Sequence, residues 1–332
     1  MEMQGPIAES VSGGRHRATD PIPVLYIAGA GRSGSTLLDR VIGMHDGFSS
    51  MGELYFAWER SFGENQLCGC GLPFHECPFW ERVSQLSFGV GTRGFDARRP
   101  VSLKARIGWK RYLLRRGLHL GGGRGAAMVS YGDLLAQLYR GIREATDCRA
   151  IVDSSKDPVH GFILAQTPAF EVHVVHLVRD PRAVAFSWRR SRKRPEIHWT
   201  DEEMPKERIY TSAIRWTGEN ALVEMLGREA ASYCRIRYED FVVEPDEALD
   251  RVFAPYDWMS AKRERLRDLA VELEPTHTVS GNPMRFKKGK VELKIDSEWQ
   301  CEMTASDRRL VTAAAWPLMA RYGYPLRLLG SP

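Results

Sequence analysis

The chain has 332 residues, of which 43% are apolar and 27% charged, with a formal net charge of +5 and an isoelectric point near 8.9. These values suit a soluble globular protein that buries one large core or two modest ones. The positive charge favours anionic partners, yet no recognition motif accompanies the arginines, so nucleic acid is not expected. No stretch approaches the ~20 apolar residues of a spanning helix, and residues 1–20 lack the apolar run of a secretory signal. A cytoplasmic setting, with the six cysteines reduced, is the expectation that follows.

Residues 1–21 are polar and contain glycine and serine, which reads as a flexible leader. Short apolar runs at Val24–Ala28, Ala150–Asp153, Val172–Val178 and Cys234–Tyr238 predict strands, and helical or irregular sequence separates them. Helices are expected at Thr36–Met44, Tyr131–Ala145, Pro181–Arg190, Ile209–Glu229, Asp246–Phe253 and Ser306–Tyr322; in the first, Leu37, Leu38, Val41 and Ile42 share one stripe. Strands alternating with helices predict the α/β class, with a P-loop-type central parallel sheet flanked by helices in a single domain over residues 22–330. Residues 88–125 and 189–206 fit this pattern poorly, and regions of about 55–130 and 189–210 read as variable regions around an acceptor site. Within residues 55–130, a basic amphipathic helix is expected from Arg98 towards Gly121-Gly122-Gly123, as a solvated surface in preference to a substrate lid or a peripheral membrane contact. Residues 189–210 have the character of a long loop lying over a site.

The stretch from Val24 to Leu38 carries most of the chemistry. A buried-type strand breaks at Gly29-Ala30-Gly31-Arg32-Ser33-Gly34-Ser35-Thr36 and passes into an apolar helix. Glycines let backbone N–H groups approach a phosphate, the helix N-terminus adds positive potential, and Ser35 and Thr36 add hydroxyl donors. A triphosphate-hydrolysing loop would read G-x-x-x-x-G-K-[ST], but here Ser35 stands where the lysine belongs and the cation has moved to Arg32. A further anion site is suggested where the strand ending at Val178 gives way to Arg179-Asp180-Pro181-Arg182, with Ser187 two helical turns on. Arg179 could instead merely pair with Asp180 or Glu239.

Taken together, these segments resemble the sulfotransferases that use 3′-phosphoadenosine 5′-phosphosulfate (PAPS), in a bacterial form with a tyrosylprotein-type Arg-Ser-Gly-Ser-Thr loop. Three further segments support the likeness: Gly52-Glu53-Leu54, Asp153-Ser154-Ser155-Lys156-Asp157-Pro158, and Arg237-Tyr238-Glu239-Asp240-Phe241. The late stretch Gly281-Asn282-Pro283-Met284-Arg285-Phe286-Lys287-Lys288-Gly289 is similar to bacterial members and to the family's C-terminal contact with the 3′-phosphate. The resemblance implies Arg32 at the bridging oxygen, with Ser33, Gly34, Ser35 and Thr36 holding the 5′-phosphate. It places Arg179, Ser187, Arg285, Lys287, Lys288 and Gly289 around the 3′-phosphate. Glu53 is the implied general base, and Lys156 a cation on the leaving group or acceptor oxygen. His277 is the rival base, because histidine titrates near neutrality. The implied reaction moves a sulfuryl group to a hydroxyl of a small metabolite, glycolipid or sugar, with no metal required. A homodimer would be compatible with it. A P-loop kinase or other nucleotide-dependent transferase is the alternative, and a non-catalytic anion-binding module a third reading.

Cys68, Cys70, His75 and Cys77 lie close in sequence and invite a zinc reading. Structural zinc sites come as two separated ligand pairs, and no further pair is evident. Reduced structural cysteines are therefore preferred to zinc or to a disulfide, and no metal ligand is assigned. Among the aromatic residues, Trp216 is expected in the core on its helical spacing, while Trp188, beside Ser187, is the candidate for the site.

Overall fold

The computed structural model describes residues 20–108, 125–259, 265–266 and 269–326. The expected leader falls almost wholly outside them. So does the end of the basic segment, including Gly121-Gly122-Gly123.

Five parallel strands form the main sheet: β1 (Ile22–Ala28), β2 (Phe48–Ser50), β3 (Ala150–Lys156), β4 (Phe170–Val178) and β5 (Ser232–Arg237), in spatial order β2-β3-β1-β4-β5. β1 is central, pairing with β3 on one side and β4 on the other. A parallel sheet needs cover on both faces, and β1 shows how the sequence provides it. Val24, Tyr26 and Ala28 face one core, while Leu25 and Ile27 face the other, as the two-residue side-chain period requires.

Helix α1 (Ser35–Ile42) covers the Leu25 face, with Leu38, Val41 and Ile42 fully buried. The Tyr26 face is covered by α4 (Ala126–Thr146) and α5 (Pro158–Ala165). Between β2 and α4, the irregular region expected over 55–108 is itself helical. It holds a π-helix at Ala57–Gly63, then α2 (Pro78–Phe88) and α3 (Arg98–Ile107), built around Trp58, Phe74 and Trp80. The basic helix thus exists, but within the described residues it stops at Gly108, whose φ is 45°.

Beyond β4 come α6 (Pro181–Arg189) and α7 (Ile209–Leu226); after β5, α8 (Tyr238–Val243) and α9 (Pro245–Phe253) lead to an antiparallel pair, β6 (Ala270–Leu273) with β7 (Gly289–Glu292). The chain then continues through α10 (Glu298–Glu302) and α11 (Ala305–Arg321). Among the described residues no helix is long and apolar enough to cross a membrane.

One buried cation fastens the late segment to the first helix. Arg40, 2% exposed, donates to the carbonyls of Glu274 (2.5 Å), Lys287 (2.6 Å) and Met284 (3.1 Å). Replacing Arg40 with methionine keeps its packing but leaves those acceptors unmatched. Urea unfolding of Arg40→Met should show a loss of roughly 2–3 kcal/mol; a loss below about 0.5 kcal/mol would mean this strut carries no stability.

Candidate active site

The loop leaving β1 opens at the carboxyl edge of the sheet, between β3 and β4, where open α/β sheets gather ligands. Two glycines make its path feasible. A Cβ on Gly29, at φ 143°, would lie 2.3 Å from the Leu177 carbonyl oxygen of β4, and one on Gly34, at φ 93°, would lie 2.5 Å from the Tyr238 ring. Arg32 itself takes the left-handed conformation, φ 69°. The turn ends at Gly34, and the backbone N–H groups of Leu37 and Leu38 already close on the Gly34 carbonyl. The amides before them stand at the mouth of α1.

Arg32 is held from several sides. Its guanidinium lies 4.7 Å from the Trp188 ring centre, and Nη2 donates to Met204 Sδ at 3.1 Å. Its Nε and Nη1, together with Ser33 Oγ, are buried with no hydrogen-bond partner. Burial and the nearby Arg192 lower its pKa to about 10, still cationic at neutral pH. The segment 190–206 reaches this loop through Met204 and forms an irregular hairpin: Arg194 N–H donates to the Glu202 carbonyl and Met204 N–H to the Arg192 carbonyl. Next to it, a cleft of about 490 Å³ is lined by Arg190, Ser191, Arg192, Lys193, Pro195 and Pro283.

Glu53 and Lys156 meet. Lys156 Nζ ion-pairs with Glu53 Oε1 and donates to the Ser154 carbonyl at 2.9 Å; Glu53 is 7% exposed. Lys156 is in the left-handed region, φ 67°, at the last residue of β3. Glu53 is placed by its backbone, whose N–H donates to the Val279 carbonyl at 2.8 Å. A Cβ on Gly281 would sit 3.5 Å from Glu53 Oε1 and 3.7 Å from Thr36 Oγ1, so the carboxylate lies beside the start of α1.

Arg179 leaves the end of β4 and reaches back to the same loop. Its Nη1 donates to the Arg32 carbonyl at 3.0 Å, its Nη2 pairs with Asp296 at 3.1 Å, and its guanidinium lies over the Tyr238 ring. Neither of the partners suggested by sequence takes it. Asp180 caps α6 and holds Arg182, while Glu239 accepts from the Asp180 N–H and the Tyr324 hydroxyl. Ser187 is buried on α6; Lys287 and Lys288 are exposed, just before Gly289 opens β7.

Two expected site residues lie elsewhere. Arg285 is 1% exposed and donates to the carbonyls of Leu67 and Thr278, both at 2.6 Å, so its charge is committed inside the protein rather than offered to a phosphate. His277 stacks on Phe79 and turns Nδ1 toward Cys77 Sγ (3.3 Å) and Cys68 Sγ (3.8 Å), which removes that nitrogen from the role of rival base. Trp216 is core as expected, its indole N–H bonded to the Arg179 carbonyl. Trp199 and Tyr210 are exposed.

The sequence did not single out Glu219. From α7, its carboxylate takes the Gly31 N–H, and burial raises its pKa to about 7. Asp153 follows the apolar start of β3. It is wholly buried, bonded to Tyr139 Oη (2.5 Å), His160 Nε2 (3.2 Å) and Ser155 N–H (2.8 Å). No oxygen of Asp153 is left to face a magnesium ion in the loop.

One solved structure shares this architecture. The sulfotransferase domain from the curacin biosynthetic pathway matches with a TM-score of 0.51 and 18% identity, over 93% of this chain and all of that one. The sulfotransferase domain from the Synechococcus PCC 7002 olefin synthase matches with a TM-score of 0.48 and 19% identity, over 93% and 97%. At 18% identity what the curacin-pathway domain shares with this chain is the fold. No family model and no curated protein matches the chain.

Glu219 sits on α7 with its carboxylate at the Gly31 N–H, and burial raises its pKa to about 7, so its charge beside the loop changes between pH 6 and 8. Ionised Glu219 repels a phosphate and the neutral acid does not, so the wild-type protein should fall behind Glu219→Gln as pH rises through about 7. Calorimetry with adenosine 3′,5′-bisphosphate at pH 6 and 8 should show the affinity ratio between the two proteins changing by up to about tenfold. A ratio independent of pH would remove Glu219 from the loop's electrostatics.

Proposed function

We propose that this chain is a sulfotransferase that moves a sulfuryl group from PAPS to a hydroxyl of a small metabolite, glycolipid or sugar. The observation carrying this reading is one half-buried cation with two buried nitrogens lacking acceptors, on a glycine-turned loop with a carboxylate–lysine pair beside it. Buried polar groups without partners are rare in folded proteins and mark places where a ligand completes the bonding. Arg32 Nε and Nη1 and Ser33 Oγ are such a set, beside the backbone amides at the start of α1. They fit a phosphate that gains charge as its sulfuryl group leaves.

On this reading the acceptor oxygen attacks sulfur from the side opposite the 5′-phosphate. An O–S bond forms, the bridging S–O bond breaks, and its electron pair stays on the phosphate oxygen held by Arg32, Ser33, Gly34, Ser35 and Thr36. The acceptor proton goes to Glu53. Lys156 holds the Glu53 carboxylate in place by their ion pair until the acceptor arrives, then stabilises negative charge at the transferred group. Arg179, with Ser187 and the exposed Lys287-Lys288-Gly289 turn, holds the 3′-phosphate, and Asp296 is displaced from Arg179 as it binds. The hairpin over residues 190–206 and the helices over 54–108 frame the acceptor.

A nucleoside-triphosphate transferase fits less well. Ser35 stands in place of the phosphate-reaching lysine, and the Asp153 carboxylate is sealed in its own network.

Turnover with PAPS and a panel of hydroxyl acceptors, read by the mass of an added sulfonate, tests the assignment. Arg32→Ala should lose at least about a hundredfold in kcat, the usual cost of removing one donor to a developing oxyanion. Glu53→Gln should lose about 10²–10⁴-fold with nucleotide affinity nearly unchanged. A wild-type rate in either variant would end its assigned role.

Arg179→Ala should weaken binding of adenosine 3′,5′-bisphosphate by about tenfold or more, because a charge-assisted bond is lost far from the reacting sulfur. Asp296→Asn should act oppositely, tightening it by a few-fold as the competing carboxylate is neutralised. Titration calorimetry showing both variants equal to wild type would place the 3′-phosphate somewhere else.

A further inference from the structure

The fold brings together four metal-ligating groups away from the anion loop. Cys68, Cys70, Cys77 and His277 each offer one donor atom, and all four atoms lie within 4.8 Å of one another. Cys70 Sγ to Cys77 Sγ is 3.8 Å, Cys68 Sγ to His277 Nδ1 is 3.8 Å, and Cys77 Sγ to His277 Nδ1 is 3.3 Å. Tetrahedral zinc, with bonds of ~2.3 Å to sulfur and ~2.0–2.1 Å to nitrogen, would set S···S edges of about 3.8 Å and S···N edges of about 3.6 Å. The three measured edges fall within a few tenths of an ångström of these values.

The surroundings are built to hold this geometry. Residues 67–73 form a tight knuckle: Leu67 bridges Pro73, the Cys68 N–H donates to the Leu72 carbonyl, and the Gly71 N–H returns to the Cys68 carbonyl. Gly69 is where the knuckle touches the segment bearing the fourth ligand. Its N–H donates to the Thr278 carbonyl, and a Cβ there would come within 2.4 Å of Thr278 Oγ1. The His277 ring is fixed by stacking on Phe79, 4.6 Å between centres and 13° from parallel, and its carbonyl accepts from the Trp80 indole. Arg285 ties the residue before Cys68 to the residue after His277. His75, the histidine nearest in sequence, is not part of the group.

We propose that Cys68, Cys70, Cys77 and His277 form a closed structural zinc site that pins the 54–108 helices to the 276–281 segment. Thiols that ligate release their protons to solvent, so the site binds as thiolates and one neutral imidazole. All four positions are filled by protein, which leaves no open coordination site for substrate and separates this centre from the sulfuryl-transfer chemistry. The segment it fixes includes Val279, whose carbonyl receives the Glu53 N–H and whose N–H donates to the Met51 carbonyl. The assignment stands whether or not the chain proves to be a sulfotransferase.

The full chain, untagged, expressed with added zinc and purified under reductant without chelator, should carry about one zinc per molecule by plasma mass spectrometry. Cys70→Ser, Cys77→Ser and His277→Ala should each lose most of it, whereas His75→Ala should retain it. Because the cysteine variants could fail to fold, the wild-type chain is also reconstituted with Co²⁺. Intense tetrahedral d–d bands and a thiolate charge-transfer band are then expected, and a strong chelator should lower the Tm of the zinc-loaded protein. The proposal is overturned by a folded, reduced chain that takes up neither metal, by a Cys70–Cys77 disulfide found by mass under reductant, or by His75→Ala losing as much zinc as His277→Ala.

Discussion

The close passage of the loop after β1 between the Leu177 carbonyl and the Tyr238 ring sets the rest of the site. That passage admits no Cβ at residue 29 or 34. It is narrow because β1 is the central strand, hydrogen-bonded on both sides, so its exit cannot swing away from β4. Held there, the loop turns through Arg32 in a left-handed conformation and presents its backbone to the start of α1. The same crowding brings Arg179, at the end of β4, within hydrogen-bond reach of the Arg32 carbonyl. Two cations far apart in sequence thus become neighbours through one strand pairing.

Their charges are not treated alike. Arg179 has a carboxylate partner in Asp296 and an aromatic face beneath it. Arg32 has a sulfur, an aromatic ring and two nitrogens without acceptors, and no carboxylate pairs with it among the described residues. Low dielectric strengthens whatever eventually meets those nitrogens and makes their lack of partners costly. The carboxylate nearest to this region in function, Glu53, is turned to Lys156 instead. The arrangement pairs the Glu53 carboxylate with Lys156 and leaves two Arg32 nitrogens without an acceptor.

The parts legible in the sequence were those whose chemistry lies in one continuous stretch. The β1–loop–α1 segment and the β4–Arg179–α6 segment carry both their secondary structure and their charges within about fifteen residues, and they stand where the sequence pattern put them. Strand β2, three residues long, has too little sequence to show alternation, and α5 is apolar on all sides, so neither has a periodicity to detect. Glu219 was hidden for another reason: on a long helix a carboxylate reads as a solvated face, and only the pairing of α7 with the loop reveals the Gly31 contact. Arg285 was expected at a phosphate because a basic run near a glycine resembles such a contact on charge alone, and His277 was the rival base because histidine titrates near neutrality. Burial decided otherwise, turning Arg285 inward onto two carbonyls and His277 onto two thiols.

Those two misplaced residues explain each other. Arg285 bonds the Leu67 and Thr278 carbonyls, which flank Cys68 on one side and His277 on the other, so it closes from outside what the four donor atoms close from within. A buried guanidinium between two loops is tolerable only if the loops stay in register, since a shift of about one ångström would strand a charge without acceptors. The thiol–imidazole cluster enforces that register across two hundred residues of chain. Val279, two residues beyond His277, then holds the backbone of Glu53, while Lys156 fixes its side chain from the sheet. The position of the carboxylate is therefore set from two independent directions, one of them running through the cysteine knuckle. Loosening the knuckle would move the 276–281 segment that holds the Glu53 backbone, and because Gly281 of that segment also adjoins Thr36, the start of α1 would feel the same shift.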